Sequence, residues 1–279
     1  MSIDVPAVAA VDIRDAGADL GPTGRRSSAD VGHTGPVTTT AADEVTFRSD
    51  VTVELVKASA ADSDVLFAAR VSTVGERSLD AVGADAQKSQ GLIGYLMRDR
   101  HGSPFEHSVM TFYVEAPIFV WREHMRHRMT SYNEESGRYR QLRPVFYLPG
   151  PDRRLVQIGK AGAYEFVEGS PEQSQLVTEQ ARAAYLAAYE AYRSMLDAGV
   201  AREVARVVLP VATYSSAYVT MNARALMNFL SLRRRSDDAT FPSYPQREIE
   251  LVAERYEEIW AGLMPLTHAA FVAAGRVAP

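Results

Sequence analysis

Six arginines lie between Arg122 and Arg143, in a chain whose formal net charge is −5. Ser, Asn and Glu are interleaved with them, and the run from Arg126 to Tyr139 contains no lysine. An ordinary solvated helix face pairs Glu with Lys four residues apart, so this pattern is of another kind. Guanidinium forks grip phosphate and carboxylate through two parallel hydrogen bonds. Two readings stand: the cluster binds an anion, or Glu123, Glu134 and Glu135 bridge the arginines at the surface. The density of polar groups behind an apolar helix favours the anion site. A second polar pair, Arg224 and Asn228, stands one turn apart on one face of a later helix. Arg233, Arg234 and Arg235 close that helix, where cations complement the dipole; that placement accounts for Arg234 and Arg235.

Several chemistries are excluded by what the chain lacks. It has no cysteine, so disulfides, thiolate metal sites and a cysteine nucleophile are ruled out. His124 and His127 are three residues apart, with His101 and His107 upstream, but no H-E-x-x-H occurs and His127 sits between two arginines. A dication is poorly placed there, and no metal is expected. Ser136 precedes a glycine without the G-x-S-x-G elbow of a nucleophile; a hydroxyl that binds a phosphate oxygen suits it better. There is no P-loop and no dinucleotide glycine fingerprint, so a nucleotide would be held by Arg, His and Asn side chains. An arginine-rich RNA-binding module is the non-enzyme alternative. It predicts lysine enrichment, exposed aromatics and a basic pI, whereas this pI is about 5.7. No nucleic-acid partner is expected.

The elements that must position these residues can be read from period and punctuation. Residues 1–44, rich in Ala, Asp, Gly, Thr and Ser, show no sustained period and are expected to form a disordered extension; residues 45–279 are expected to form one domain. Val51 to Val56 alternates as a strand, and Asp62–Ser72 and Gln87–Arg100 read as helices, the second with an apolar stripe of Leu92, Tyr95 and Leu96. His107 to Glu115 alternates again. Pro117 opens a helix through about His127, with Ile118, Trp121 and Met125 toward the core and Glu123, Arg126 and His127 on another side. A polar loop follows. Residues 152–170 lack a period and read as an insertion. Pro171–Asp197 is the longest helix, its Tyr185, Tyr189 and Tyr192 stripe serving packing. Arg202–Leu209 is a short helix, Tyr214–Met221 a strand, and Asn222 the N-cap of a helix to about Arg235. Ser236–Pro245 is a loop, followed by helices over Arg247–Gly262 and Pro265–Ala274. The sum is an α+β fold, a central, mostly antiparallel sheet with helices packed around it. No apolar run reaches the length of a membrane span and the N-terminus is not built as a secretory signal, so a cytoplasmic location is expected.

The stretch Arg126-His-Arg-x-x-Ser-x-Asn-Glu-x-Ser-x-Arg-Tyr139 resembles the signature of flavin-dependent thymidylate synthases. Further blocks fall in the same order: His101-Gly-Ser-Pro-Phe-Glu-His107, Arg202-Glu-Val-Ala-Arg206 with Leu209-Pro210, Asn222 to Arg233, and Tyr244 to Ile249. The resemblance covers roughly residues 50–275. It implies FAD held by Ser103, Arg126, His127, Arg128, Glu134, Asn222, Arg224 and Asn228. It implies the substrate dUMP held by Glu123, Arg126, Ser136, Gly137, Arg138, Arg206 and Arg233, with Arg233 the catalytic residue that polarises the uracil near N3. It further implies NADPH as reductant, methylenetetrahydrofolate as carbon donor, and a homotetramer with shared active sites. Glu123 stands where Gln is frequent and Tyr244 where some members carry His. The missing cysteine agrees, because the other class of thymidylate synthase attacks the pyrimidine with a thiolate, whereas hydride from a reduced flavin needs no protein nucleophile.

Overall fold

A hydrophobic period of two builds the centre of the molecule. In the computed structural model, which describes residues 44–77, 86–160 and 163–279, strand β3 (Val109–Pro117) turns Met110, Phe112, Val114 and Ala116 completely inward. It pairs antiparallel with β2 (Thr52–Ser59) on one side and β8 (Tyr214–Asn222) on the other, and β4 (Ser131–Glu134) completes a sheet of order β2-β3-β8-β4. A bulge at Val56 in β2 keeps its two halves in register with β3. Small accessory sheets are formed by β1 (Thr46–Arg48) with β5 (Val145–Tyr147), in parallel, and by β6 (Val156–Lys160) with β7 (Ala163–Val167), antiparallel. The antiparallel sheet and its helices bear out the α+β reading.

Helices surround the four-stranded sheet and its accessory strands. Among the described residues these are α1 (Asp62–Val74), α2 (Ala86–Arg98), α3 (Ile118–His124), α4 (Pro171–Asp197), α5 (Arg202–Ala205), α6 (Ala223–Arg233), α7 (Arg247–Leu263) and α8 (Pro265–Ala273). Leu226, Met227, Phe229 and Leu230 of α6, with Ile249, Val252, Tyr256 and Trp260 of α7, join the sheet residues in one core. Asn222 caps α6 as expected, its side chain accepting from the Ala225 amide at 2.8 Å. Asp62 receives the Leu266 and Thr267 amides, which ties the start of α8 to α1. A second cluster buries Tyr189 and Tyr192 of α4 against Phe146, so the tyrosine stripe is indeed packing. The described residues between Glu44 and Pro279 belong to one compact unit. The extension expected over residues 1–44 lies, apart from Glu44, outside the described residues.

Five local expectations are corrected. The helix after Pro117 stops at His124, and His127 lies in the turn beyond it. The Tyr132 hydroxyl lies 2.8 Å and 3.0 Å from the carbonyl oxygens of His124 and His127, which replaces the next turn of helix as their partner. His124, not Met125, is therefore the buried member there, Met125 being exposed. On α2 the buried stripe is Ile93, Leu96 and Met97, with Tyr95 exposed against His101. The segment 152–170 is a β-hairpin, and the polar loop after Arg128 contains β4. β4 leaves no apolar alternation to read, and in the hairpin the alternation is confined to Val156 with Ile158 and Tyr164 with Phe166, too short a signal to mark two strands.

Candidate functional site

The structure gathers the expected site residues into three groups. The first is built on the end of α6. Arg233 donates from Nη1 to Glu123 Oε2 at 2.6 Å and from Nε to His127 Nε2 at 3.2 Å. Both partners arrive from α3 and the turn after it, where Tyr132 grips the backbone. An imidazole nitrogen that accepts this bond carries no proton, and burial followed by the Arg233 cation lowers the His127 pKa to about 4. His124, one turn earlier, is wholly buried between the Tyr132 and Tyr256 hydroxyls, at 3.1 Å and 3.0 Å. Burial, then His127, holds its pKa down at about 3. Because Tyr132 gives its one proton to a backbone carbonyl, it accepts from His124 Nδ1, and Tyr256 donates to Nε2. One neutral histidine and one carboxylate thus fix the guanidinium, which among the described residues has no partner on Nη2. His124 faces tyrosines and His127 faces arginine, an arrangement that suits positioning.

The second group surrounds the start of α6. Arg224 bonds Glu106 at 2.5 Å and the Pro279 carbonyl at 2.8 Å. Asn228 donates to the Arg224 carbonyl from the next turn. Gly102, beside Ser103, lies so close that a Cβ there would sit 2.5 Å from the Arg224 guanidinium; glycine admits this approach. Asn222, Arg224 and Asn228 line a recess of about 370 Å³. It adjoins a second of about 270 Å³, where Asn228 meets His127. Arg126 and Arg128 are exposed in the turn before β4, without a carboxylate partner among the described residues. Glutamate bridging therefore applies to Arg143, held by Glu115 and Glu135, and to Arg140, held by Glu135, but not to these two. Asn222 and Asn228 bring amides, and Arg100 and Arg224 guanidinium groups, to these two recesses, donors that suit a phosphate-bearing ligand.

The third group follows β4. The Arg138 amide donates to Ser136 Oγ at 3.3 Å, and Arg138 Nε pairs with Glu203 at 2.8 Å. A Cβ on the buried Gly137 would come within 3.1 Å of Arg206 Cδ, so glycine lets Arg206 lie across the backbone. Glu134 accepts from Ser215 Oγ at 2.5 Å and lies on this side, apart from the other residues expected to meet FAD. Sequence reasoning missed Glu106, Glu203 and the two tyrosine clamps. Exposed acids carry no local signature of their partner, and a buried tyrosine reads as ordinary core.

The α+β fold and the gathered arginines define a nucleotide-binding protein without a cysteine nucleophile, and the comparisons specify which. The family model described as "Thymidylate synthase complementing protein" matches residues 54–266. A flavin-dependent thymidylate synthase of Streptomyces coelicolor is 65% identical over 237 residues, covering 85% of this chain and 96% of its own. One from Tropheryma whipplei is 60% identical over 233 residues, covering 84% and 97%. The crystal structure of a UMP/dUMP methylase, PolB from Streptomyces cacaoi, bound with 5-bromo-dUMP superposes with a TM-score of 0.80. It has 56% identity and covers 84% of this chain and all of its own. This chain belongs to the flavin-dependent thymidylate synthase family. The RNA-binding alternative finds no support in these relatives. Among the described residues no helix is long and apolar enough to cross a membrane.

Proposed function

We propose that the protein converts dUMP to dTMP, with methylenetetrahydrofolate supplying carbon and NADPH, through FAD, supplying the reducing equivalents. The observation that carries this reading is Arg233, a guanidinium fixed by Glu123 and by a neutral His127 that stands in sequence between Arg126 and Arg128, which have no carboxylate partner among the described residues. When bound, reduced flavin supplies hydride. Atoms balance as dUMP, methylenetetrahydrofolate, NADPH and a proton giving dTMP, tetrahydrofolate and NADP+.

The chain's own residues bind and polarise. Arg233 turns its free donor toward the uracil near N3, where negative charge develops; a donor held in place costs no reorganisation during the step. His127, being neutral, orients that fork without adding a competing cation. Ser136, Gly137, Arg138 and Arg206 take the phosphate of dUMP, and Arg126 serves it together with FAD. Arg128, Ser103, Asn222, Arg224 and Asn228 hold FAD, with Glu134 completing its site from the far end of β4. The pairings from Ser131 with Thr220 to Glu135 with Ser216 carry the chain about 14 Å along β8 between the Arg233 group and the phosphate group. That separation supports a homotetramer in which each site takes one group from each of two copies.

The test is product analysis with visible spectroscopy. The purified protein should show or take up a flavin band, and dTMP should form with NADPH consumed and tetrahydrofolate released. Stoichiometric dihydrofolate, or sustained dTMP formation without a reductant, would overturn the reading.

A further inference from the structure

The hairpin of β6 and β7 has no place in the reaction described so far, yet it walls a cleft of about 670 Å³ that also contains Glu123 and Arg233. A two-stranded hairpin is marginal on its own. Here it is tethered at its base, where Arg153 donates to the buried Glu248 at 2.7 Å and stacks over Phe166. Tyr164 and Phe166 share one face by the strand period, opposite Gly159 and Gln157, and both line the cleft. Tyr244, half exposed, lines it as well, with the Arg235 guanidinium 5.7 Å above its ring.

The charges in this cleft are unevenly satisfied. Arg233 is paired with Glu123, Arg153 with Glu248, and Arg247 with Glu250 and Glu254. Arg154 donates to the Phe166 carbonyl, at 3.3 Å, and has no carboxylate partner among the described residues. The Arg235 guanidinium has no carboxylate partner among the described residues. Asp152 also lines the cleft, so the surplus of cation is modest and local to Arg154 and Arg235. Aromatic side chains with two available guanidinium groups suit a ligand that combines a ring with two or more carboxylates or phosphates. Its other end would reach Glu123 and Arg233, the pair assigned to the pyrimidine.

From this arrangement we infer that the hairpin cleft holds the benzoyl-glutamate end of the folate, its ring among Tyr164, Phe166 and Tyr244 and its carboxylates on Arg154 and Arg235. This rests on the proposed function, since the folate's reactive end must meet the pyrimidine. A dinucleotide with a terminal phosphate shares the chemistry, but it has no need to run from the pyrimidine into this cleft. Each added γ-glutamate brings one more carboxylate, so longer tails should bind more tightly.

The test titrates the FAD-loaded enzyme with tetrahydrofolate, as monoglutamate and as pentaglutamate, without NADPH. The variants are Arg235→Gln, Arg154→Gln and the double substitution. Loss of one charge-assisted contact should weaken the pentaglutamate roughly tenfold or more. The double variant should erase most of its advantage over the monoglutamate, with FAD and dUMP affinity unchanged. Arg235→Gln, which leaves the hairpin tether intact, guards against a folding artefact, as does an unchanged melting temperature. Unchanged affinity for both folates overturns the inference, as does a loss that a separate NADPH titration shows to be confined to NADPH. Persistence of the flavin band and of dTMP formation in those cases would leave the proposed function standing.

Discussion

The two groups assigned to the pyrimidine nucleotide are built in opposite ways. At one end of β4, Arg233 is partly buried and held by a neutral histidine and a carboxylate, themselves fixed by tyrosine-bound backbone. At the other end, Arg138 and Arg206 are exposed, and the Arg138–Glu203 pair leaves about half of each side chain open to water, at 55% and 53% exposure. An exposed ion pair of this kind contributes ~0–1 kcal/mol, so it releases Arg138 easily. Under the proposed function the first arrangement prepares a donor for charge that appears only during reaction, and the second grips an anion already present in the ground state. Substitutions at the first end should lower kcat, and those at the second should raise KM.

The largest effect should come from Arg233→Ala. Losing a preorganised donor costs roughly 2.7–4 kcal/mol in the barrier, about a hundredfold to a thousandfold in rate, with FAD affinity retained. Arg224→Ala should do the reverse. Equal loss of FAD binding in both, with single-turnover rates intact, would erase the distinction. Arg206→Ala should raise KM for dUMP by roughly tenfold with kcat preserved; a fall in kcat at saturating dUMP would mean that both ends act in the chemical step.

A smaller effect is expected from pH. His127 and His124 titrate near 4 and 3 in the folded protein, below the ordinary 6.5. Between those values the unfolded chain takes up protons that the folded one refuses, so stability falls as pH drops below about 6.5. Above about pH 5.5 carboxylates remain largely ionised in both states, and the melting temperature between about pH 6.5 and about pH 5.5 reads the histidines. The decline should be clear in the wild type and flatter in His124→Gln. A flat wild-type profile would mean that these rings are already charged. The smallest effect should follow deletion of residues 1–43, which keeps the Glu44–Arg193 pair. Turnover and melting temperature should stay unchanged, and a drop of several degrees would show a structural role for the segment.

The sequence revealed elements with a dominant local signal. Asn222 announced the start of α6, the alternation of β3 marked the centre of the sheet, and Pro171 to Asp197 emerged as one helix. The arginine-rich stretch stood out as a candidate anion site because its residue types are unusual together. What stayed hidden depends on tertiary partners. β4 is a strand because β8 offers it an edge, and its Ser-Tyr-Asn-Glu composition has no apolar period. The helix before it ends early because the Tyr132 hydroxyl takes the carbonyls of His124 and His127. The hairpin of residues 156–167 depends on Glu248, some eighty residues downstream. The division of the site between the two ends of β4 could not be read from a motif that runs continuously from Arg126 to Tyr139.

That division is tested most directly by mixing two damaged proteins. Arg233→Ala spoils the polarising end, and the double variant Arg138→Ala/Arg206→Ala spoils the phosphate end. If each site takes one end from each of two copies, co-expressed mixed oligomers contain some sites with both ends intact. At dUMP concentrations where each parent is nearly silent, the mixture should recover turnover with wild-type KM. Activity no higher than the average of the two parents would place both ends of a site within one chain and contradict the account.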